Sequence, residues 1–206
     1  MNVWSDYSVN KLISSAYQQQ LQKLHRDRED FGRSQHRWAL HLKTRTDVLN
    51  TIDVLDYGCG KGSLPLFMPF DINCYDPAVP EFSNPPAPSD IVFCTDVLEH
   101  VEIEHEDAVL EDLYRLTQRL LFVNINLQKA SKELPDGRNA HINLKTIEAW
   151  LDQLQHVGYE LEFGPEKMCL NGLFAGNPSD FTATSRTQEP SPLTSDLPLL
   201  ETHTTL

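Results

Sequence analysis

The sequence predicts an α/β fold built on an open, parallel sheet, and three observations carry that expectation. Ile52, Val54 and Leu55 suit a buried strand, which runs straight into the glycine-rich turn Gly58-Cys59-Gly60-Lys61-Gly62. A second strand, Ile72-Asn73-Cys74-Tyr75, ends on Asp76, about 20 positions past the turn. A third apolar run, Asp90-Ile91-Val92-Phe93-Cys94-Thr95, leaves on Asp96. Asp56, Asp76 and Asp96 thus each close a strand, and open α/β sheets bind ligands outside the carboxyl ends of their strands.

The remaining elements follow in chain order. Residues 9 to 50 are rich in helix formers, with apolar stripes at Leu21 and Leu24 and at Trp38, Leu40, Leu42 and Leu49. Phe31-Gly32 breaks this region into two helices. After the glycine turn a helix is expected to be short, because Pro65 and Pro69 limit it. Five prolines between Pro77 and Ser89 predict an extended loop. Beyond Asp96, Val97-Leu98-Glu99-His100-Val101 leads into a helix, and Ala108, Leu110, Leu113 and Leu116 give helical spacing. Leu120 to Ile125 reads as a strand, and the polar loop from Leu134 to His141 follows. Thr146 to Val157 makes a helix stopped by Gly158. Tyr159–Phe163 and Met168–Ala175 supply two final strands. From Pro178 the composition turns to Pro, Ser and Thr without periodicity, which predicts disorder. The expected organisation is a helical cap over 1–50, a ligand-binding domain over 51–176 and a tail over 177–206.

The glycine spacing narrows the ligand. Dinucleotide turns use G-x-G-x-x-G and phosphate loops use G-x-x-x-x-G-K-[ST]. Here the pattern is D-x-G-x-G-x-G, with Lys61 inside the glycine run. That pattern resembles motif I of class I S-adenosylmethionine (SAM) dependent methyltransferases. D-x-V-x-x-x-D-V-L-E-H-V from Asp90 to Val101 likewise resembles the fourth-strand segment of small-molecule members, quinone O-methyltransferases among them. The resemblance spans residues 54 to 101. It implies a Rossmann-like sheet of about six strands flanked by helices, with an N-terminal helical extension. It implies S-adenosyl-L-methionine as cofactor, held by Asp56, Gly58, Cys59, Gly60, Gly62, Asp76, Pro77, Thr95, Asp96 and Val97. Asp76 takes the ribose hydroxyls in that scheme, against the alternative of a turn-forming Asp before Pro77. The chain departs from the family where the Pro77–Ser89 loop replaces a helix and the third strand, which leaves the adenine-reading position unassigned. Asn84-Pro85-Pro86 precedes the fourth-strand segment rather than following it, so it does not match the motif of amino-methylating DNA enzymes.

Methyl transfer from a sulfonium needs an acceptor in line with the S–CH₃ bond and shielded from water. A base is needed only where the acceptor is protonated. His100, just past the fourth-strand segment, and His141, beside Asp136, Arg138 and Asn139, are the candidate catalytic groups, each against the alternative of a structural histidine. Tyr17, His25 and Phe31-Gly32 are candidates to cover the cofactor end of the sheet. Glu99, His100, Glu102, Glu104, His105 and Glu106 have metal-ligand chemistry, but an acidic helix start is favoured by the helix dipole alone, so no metal is assigned.

Composition bounds the partners. The chain of 206 residues carries a net charge of −13, which disfavours nucleic acid and anionic membranes. The basic stretch from Lys23 to Arg45 is the exception: either a solvated helical face or a rim for an anionic substrate. No apolar run is long enough to span a bilayer, the N-terminus lacks a secretory pattern, and Cys59, Cys74, Cys94 and Cys169 lack paired spacing. A cytoplasmic enzyme methylating an O or N atom of a small molecule is the expectation. The alternatives are a nucleic-acid or protein methyltransferase and a SAM-binding protein without catalysis; oligomeric state leaves no mark on the sequence.

Overall fold

A computed structural model describes residues 12–160 other than 30, 33 and 34, together with the backbone of 161–163 and 169–175. Ten regular elements follow in chain order. They are α1 (Ser15–Asp27), α2 (Ala39–Leu49), β1 (Val54–Tyr57), β2 (Asn73–Tyr75), β3 (Ser89–Thr95), α3 (Glu106–Leu116), β4 (Thr117–Asn126), α4 (Ile147–His156), β5 (Leu161–Phe163) and β6 (Cys169–Ala175). They form one six-stranded sheet in the order β2-β1-β3-β4-β6-β5. The first four strands run parallel, and β6 pairs antiparallel with both β4 and β5.

The predicted Rossmann-like sheet is therefore present; its reversed strand, β6, lies one in from the edge between β4 and β5, and no strand lies between β2 and β3 in sequence. Pro77 to Ser89 forms an irregular loop with one short 3₁₀ turn, Pro80–Phe82. Two departures concern helices. The element after the glycine turn is only a four-residue 3₁₀ turn, Leu64–Phe67, because Pro65 sits inside it and Pro69 follows it closely. No α-helix N-terminus is thus aimed at the turn. Past β3, Leu98–His100 and Ile103–His105 are separate 3₁₀ turns, and α3 begins only at Glu106.

Strand alternation assigns the core. Leu55 and Tyr57 join Val92, Cys94, Leu121 and Val123 against α3 and α4, where Trp150 and Leu154 are fully buried. Val54, Ile91, Phe93, Leu120 and Phe122 face the other way, onto Leu42 of α2 and Leu64. Phe93 and Phe122 stack there with centroids 4.5 Å apart. A third cluster joins Ile13, Tyr17 and Leu24 to Leu134 and Ala140, so α1 packs on the loop after β4.

The helix ends follow ordinary capping chemistry. Ser14 Oγ accepts from the Tyr17 N–H at the start of α1, and Thr146 Oγ1 accepts from the Ala149 N–H at the start of α4. Gly158, at φ 109°, ends α4 as its sequence position predicts. Cys59, Cys74 and Cys94 are free thiols among the described residues, and no described helix is long and apolar enough to cross a membrane. The predicted tail from 177 onward lies outside the described residues, as does the side chain of Cys169.

Candidate active site

The cavity at the carboxyl end of the parallel strands measures about 590 Å³, a size suited to a drug-sized or cofactor-sized ligand. Gly58 and Gly60 from the turn, Asp76 and Pro77 after β2, and Asp96, Val97 and His100 after β3 line it. Tyr17, His25, Phe31 and Gly32 close it from the N-terminal side, and His141 closes it from the loop after β4.

The turn has its shape for two reasons. Gly58 and Gly60 adopt φ of 74° and 55°, a left-handed conformation that side chains rarely take. A Cβ on Gly60 would also lie 2.6 Å from the carbonyl oxygen of Gly32 and 2.8 Å from its Cα, so the two backbones touch. The Lys61 N–H donates to that same carbonyl at 3.0 Å, and Lys61 Nζ donates to the Arg28 carbonyl at 2.8 Å. Lys61 therefore pins the segment after α1 onto the turn.

Asp76 is tied into the same structure. Its Oδ2 accepts from the Gly60 N–H at 3.0 Å and its Oδ1 from the Ala78 N–H at 2.8 Å. Each oxygen retains further acceptor capacity. Burial pushes its carboxyl up to about 6, against the pull of the backbone N–H groups of Ala78, Gly60 and Val79. Asp56, Cys59, Gly62 and Thr95, four of the residues the sequence assigned to the cofactor, are not among the residues that line the cavity. Asp56 is fully buried with neither oxygen hydrogen-bonded among the described residues, and Thr95 Oγ1 is also without a partner. Burial, followed by Cys74 and Asp76, raises the Asp56 carboxyl well above the usual range.

On the opposite side, His100 and His141 meet edge to face with ring centroids 4.8 Å apart. His100 Nδ1 lies 2.8 Å from the Ala140 carbonyl oxygen, and His141 Nδ1 bonds the Gln128 carbonyl. Burial, aided by His141, pulls His100 down to about 4. Glu99 lies beside them, fully buried, its Oε1 accepting from the Asn126 N–H at 2.8 Å. Burial and then Asp96 push Glu99 up to about 8. Asp96, at φ 55°, pairs with Arg37.

The wall also carries residues that sequence reasoning passed over. Glu102 accepts from the Ser14 N–H at 2.8 Å and from Ser14 Oγ at 2.7 Å, fastening the start of α1 beside the β3 exit. Gln18 Nε2 donates to the Pro77 carbonyl, and Gln20 Nε2 to Asp136. One helix thus holds three loops over the cavity. Glu102 and Arg37 had prior signals, their places in the acidic cluster and in the basic stretch; Asn126, Lys129 and Lys132 had none.

The wall fits a SAM-sized cation with a ribose diol. Its acids, Asp76, Asp96 and Glu102, suit a positively charged ligand, and Asp76 has acceptor capacity in reserve where a diol needs it. His25 Nδ1 and the Tyr17 hydroxyl are buried on the same wall without partners among the described residues.

Comparison with known proteins agrees with this geometry. A family model described as "Methyltransferase domain" matches residues 13–162, from just before α1 into β5. Among solved structures, the chain is similar to 1,6-didemethyltoxoflavin-N1-methyltransferase from Burkholderia thailandensis, determined with 1,6-didemethyltoxoflavin and S-adenosylhomocysteine bound. The TM-score is 0.55 at 15% identity, over 78% of this chain and 86% of that one. It is also similar to an S-adenosylmethionine-dependent methyltransferase from Clostridium acetobutylicum, with a TM-score of 0.54 at 13% identity, over 75% and 95% of the two chains. No curated protein matches the chain by sequence. The chain belongs to the methyltransferase domain family and is a SAM-dependent methyltransferase of the class I fold.

Proposed function

We propose that this enzyme methylates an O or N atom of a small molecule, with SAM bound along the Gly58–Asp76 wall and the acceptor at His100 and His141. The observation that carries this reading is the single cavity that joins both walls. SAM supplies an electrophilic methyl group to whichever nucleophile is held in line with it. The chain's own part is to hold, orient and desolvate. Asp76 accepts the ribose hydroxyls while its other contacts keep the turn closed. Gly58, Gly60 and Pro77 present main chain to the ligand, and Asp96 and Val97 border the same wall.

His100 and His141 bind and polarise the acceptor. His100, pulled down to about 4, stays neutral at physiological pH and can accept a hydrogen bond from an acceptor hydroxyl or amine. α1 and the segment after it exclude water, with Tyr17, His25 and Phe31 over the cavity. A small molecule is favoured over nucleic acid because the net charge is −13 and Arg37, one of the cations lining the cavity, is paired with Asp96. The neighbour from Burkholderia thailandensis, with its small heterocyclic ligand, lends support to that acceptor class.

Titration calorimetry with SAM and with S-adenosylhomocysteine tests the reading. Binding of both is expected, with the product competing against the cofactor. No heat from either at millimolar concentration would overturn it.

A further inference from the structure

Glu99, His100 and His141 converge at the acceptor side of the cavity, and the Glu99 Oε2 atom is buried there without a hydrogen-bond partner among the described residues. Glu99, His100 and His141 each offer a ligand atom within 4.8 Å of the other two. Both imidazoles spend Nδ1 on a backbone carbonyl, Ala140 for one and Gln128 for the other. A carbonyl oxygen only accepts, so Nδ1 carries the proton and the lone pair of each ring is at Nε2. A second bond that fixes the tautomer in this way is the usual arrangement behind a metal-ligating histidine. Glu99 is 0% exposed, and while its Oε1 takes the Asn126 N–H, its Oε2 has no partner. A buried carboxylate oxygen left bare is costly unless a cation or a donor meets it.

The surroundings hold this trio in place. Asn143 N–H donates to the Glu99 carbonyl at 3.0 Å, and the Asn139 side chain accepts from the Ala130 and His141 N–H groups at 2.9 and 3.1 Å. The loop that carries His141 is therefore tied down on both sides.

We propose that Glu99, His100 and His141 form a binding site for one divalent first-row transition ion, Mn²⁺, Fe²⁺, Co²⁺ or Zn²⁺, with its remaining coordination positions open to the cavity. Two imidazoles and one carboxylate suit these ions better than Mg²⁺ or Ca²⁺, which prefer all-oxygen cages. An ion here makes the acceptor an oxygen compound, since a hydroxyl on an open position is oriented and made more acidic. That consequence for the acceptor rests on the methyltransferase reading above, whereas metal binding itself does not. The two histidines then polarise the acceptor through the ion.

The test is titration of the chelator-treated, untagged chain with Co²⁺, followed by visible d–d absorption, and with Mn²⁺, followed by paramagnetic resonance. One equivalent is expected to bind in the wild type, at least tenfold more weakly in Glu99→Gln and in His141→Ala. Absence of binding up to millimolar Co²⁺, or unchanged affinity in a folded variant, overturns the site. His141 is half-exposed, so its alanine variant decides the matter if Glu99→Gln fails to fold. S-adenosylhomocysteine calorimetry on the same preparations separates the two readings. Product binding without Co²⁺ binding removes the metal alone, and Co²⁺ binding without product binding removes the cofactor reading alone.

Discussion

On the cofactor side of the cavity, residues 54–79 supply strand, turn and acid in one continuous stretch. On the acceptor side, Glu99 and His100 come from the β3 exit, His141 from a loop after β4, and the roof from α1 and the segment behind it. The first wall is fixed by local backbone geometry, positive φ at Gly58 and Gly60 and two N–H groups on Asp76. The second is fixed by bonds between distant segments, such as Ser14 to Glu102 and His100 to the Ala140 carbonyl. Damage to the first wall should therefore cost cofactor binding. Damage to the second should cost turnover while the cofactor still binds.

The strongest way to break that separation is at the point where the two backbones touch. Gly60→Ala drives a Cβ into the Gly32 backbone and strains φ at once. It is expected to lower the unfolding free energy by roughly 2–4 kcal/mol and to abolish S-adenosylhomocysteine binding. Denaturant titration and calorimetry check this; near-normal values for both would mean that the contact yields readily.

His141→Ala comes next, with turnover falling on the order of 10²-fold while cofactor affinity stays within a factor of two. Once an acceptor is in hand, equal turnover in variant and wild type would make the residue structural.

Asp76→Ala is expected to weaken SAM binding by roughly 1–3 kcal/mol through loss of charged hydrogen bonds. Unchanged affinity would remove the ribose assignment. The carboxyl, pushed up to about 6, must be ionised to accept fully, so wild-type affinity should fall as pH drops through 6. That slope should be absent in the alanine variant.

The smallest effect concerns stability. His25 is pulled down to about 4, first by burial and then by Lys61, from an ordinary value of 6.5. Between those values the unfolded chain binds the proton and the folded chain does not. The His25 contribution is thus fully present above pH 6.5 and is lost as pH falls through 4. Glu99 and Asp76, both raised, work in the opposite sense: the folded chain holds their protons more tightly, so their contribution fades as pH rises through about 8 and 6. The difference in unfolding free energy between wild type and His25→Phe, measured at pH 7 and pH 4.5, isolates the histidine. A difference independent of pH would show that His25 is not held neutral by the fold.

The sequence by itself determined the sheet, the turn and the acid beside it. The unbroken burial of Val54–Tyr57, glycines at alternate positions and an Asp at the next strand end are all consequences of short-range geometry, and short-range geometry is written in adjacent residues. The sequence also marked His100 and His141 separately, by residue type and loop context. It assigned Asp56, Cys59, Gly62 and Thr95 to the cofactor together with their motif neighbours, and the tertiary structure leaves these four off the cavity lining. Tertiary structure alone brought Glu99, His100 and His141 together, tied each Nδ1 to a backbone carbonyl, and laid α1 across three loops. Residues some 40 positions apart meet only because β3 and β4 lie side by side and release their loops at the same end of the sheet. No periodicity or local motif encodes that encounter.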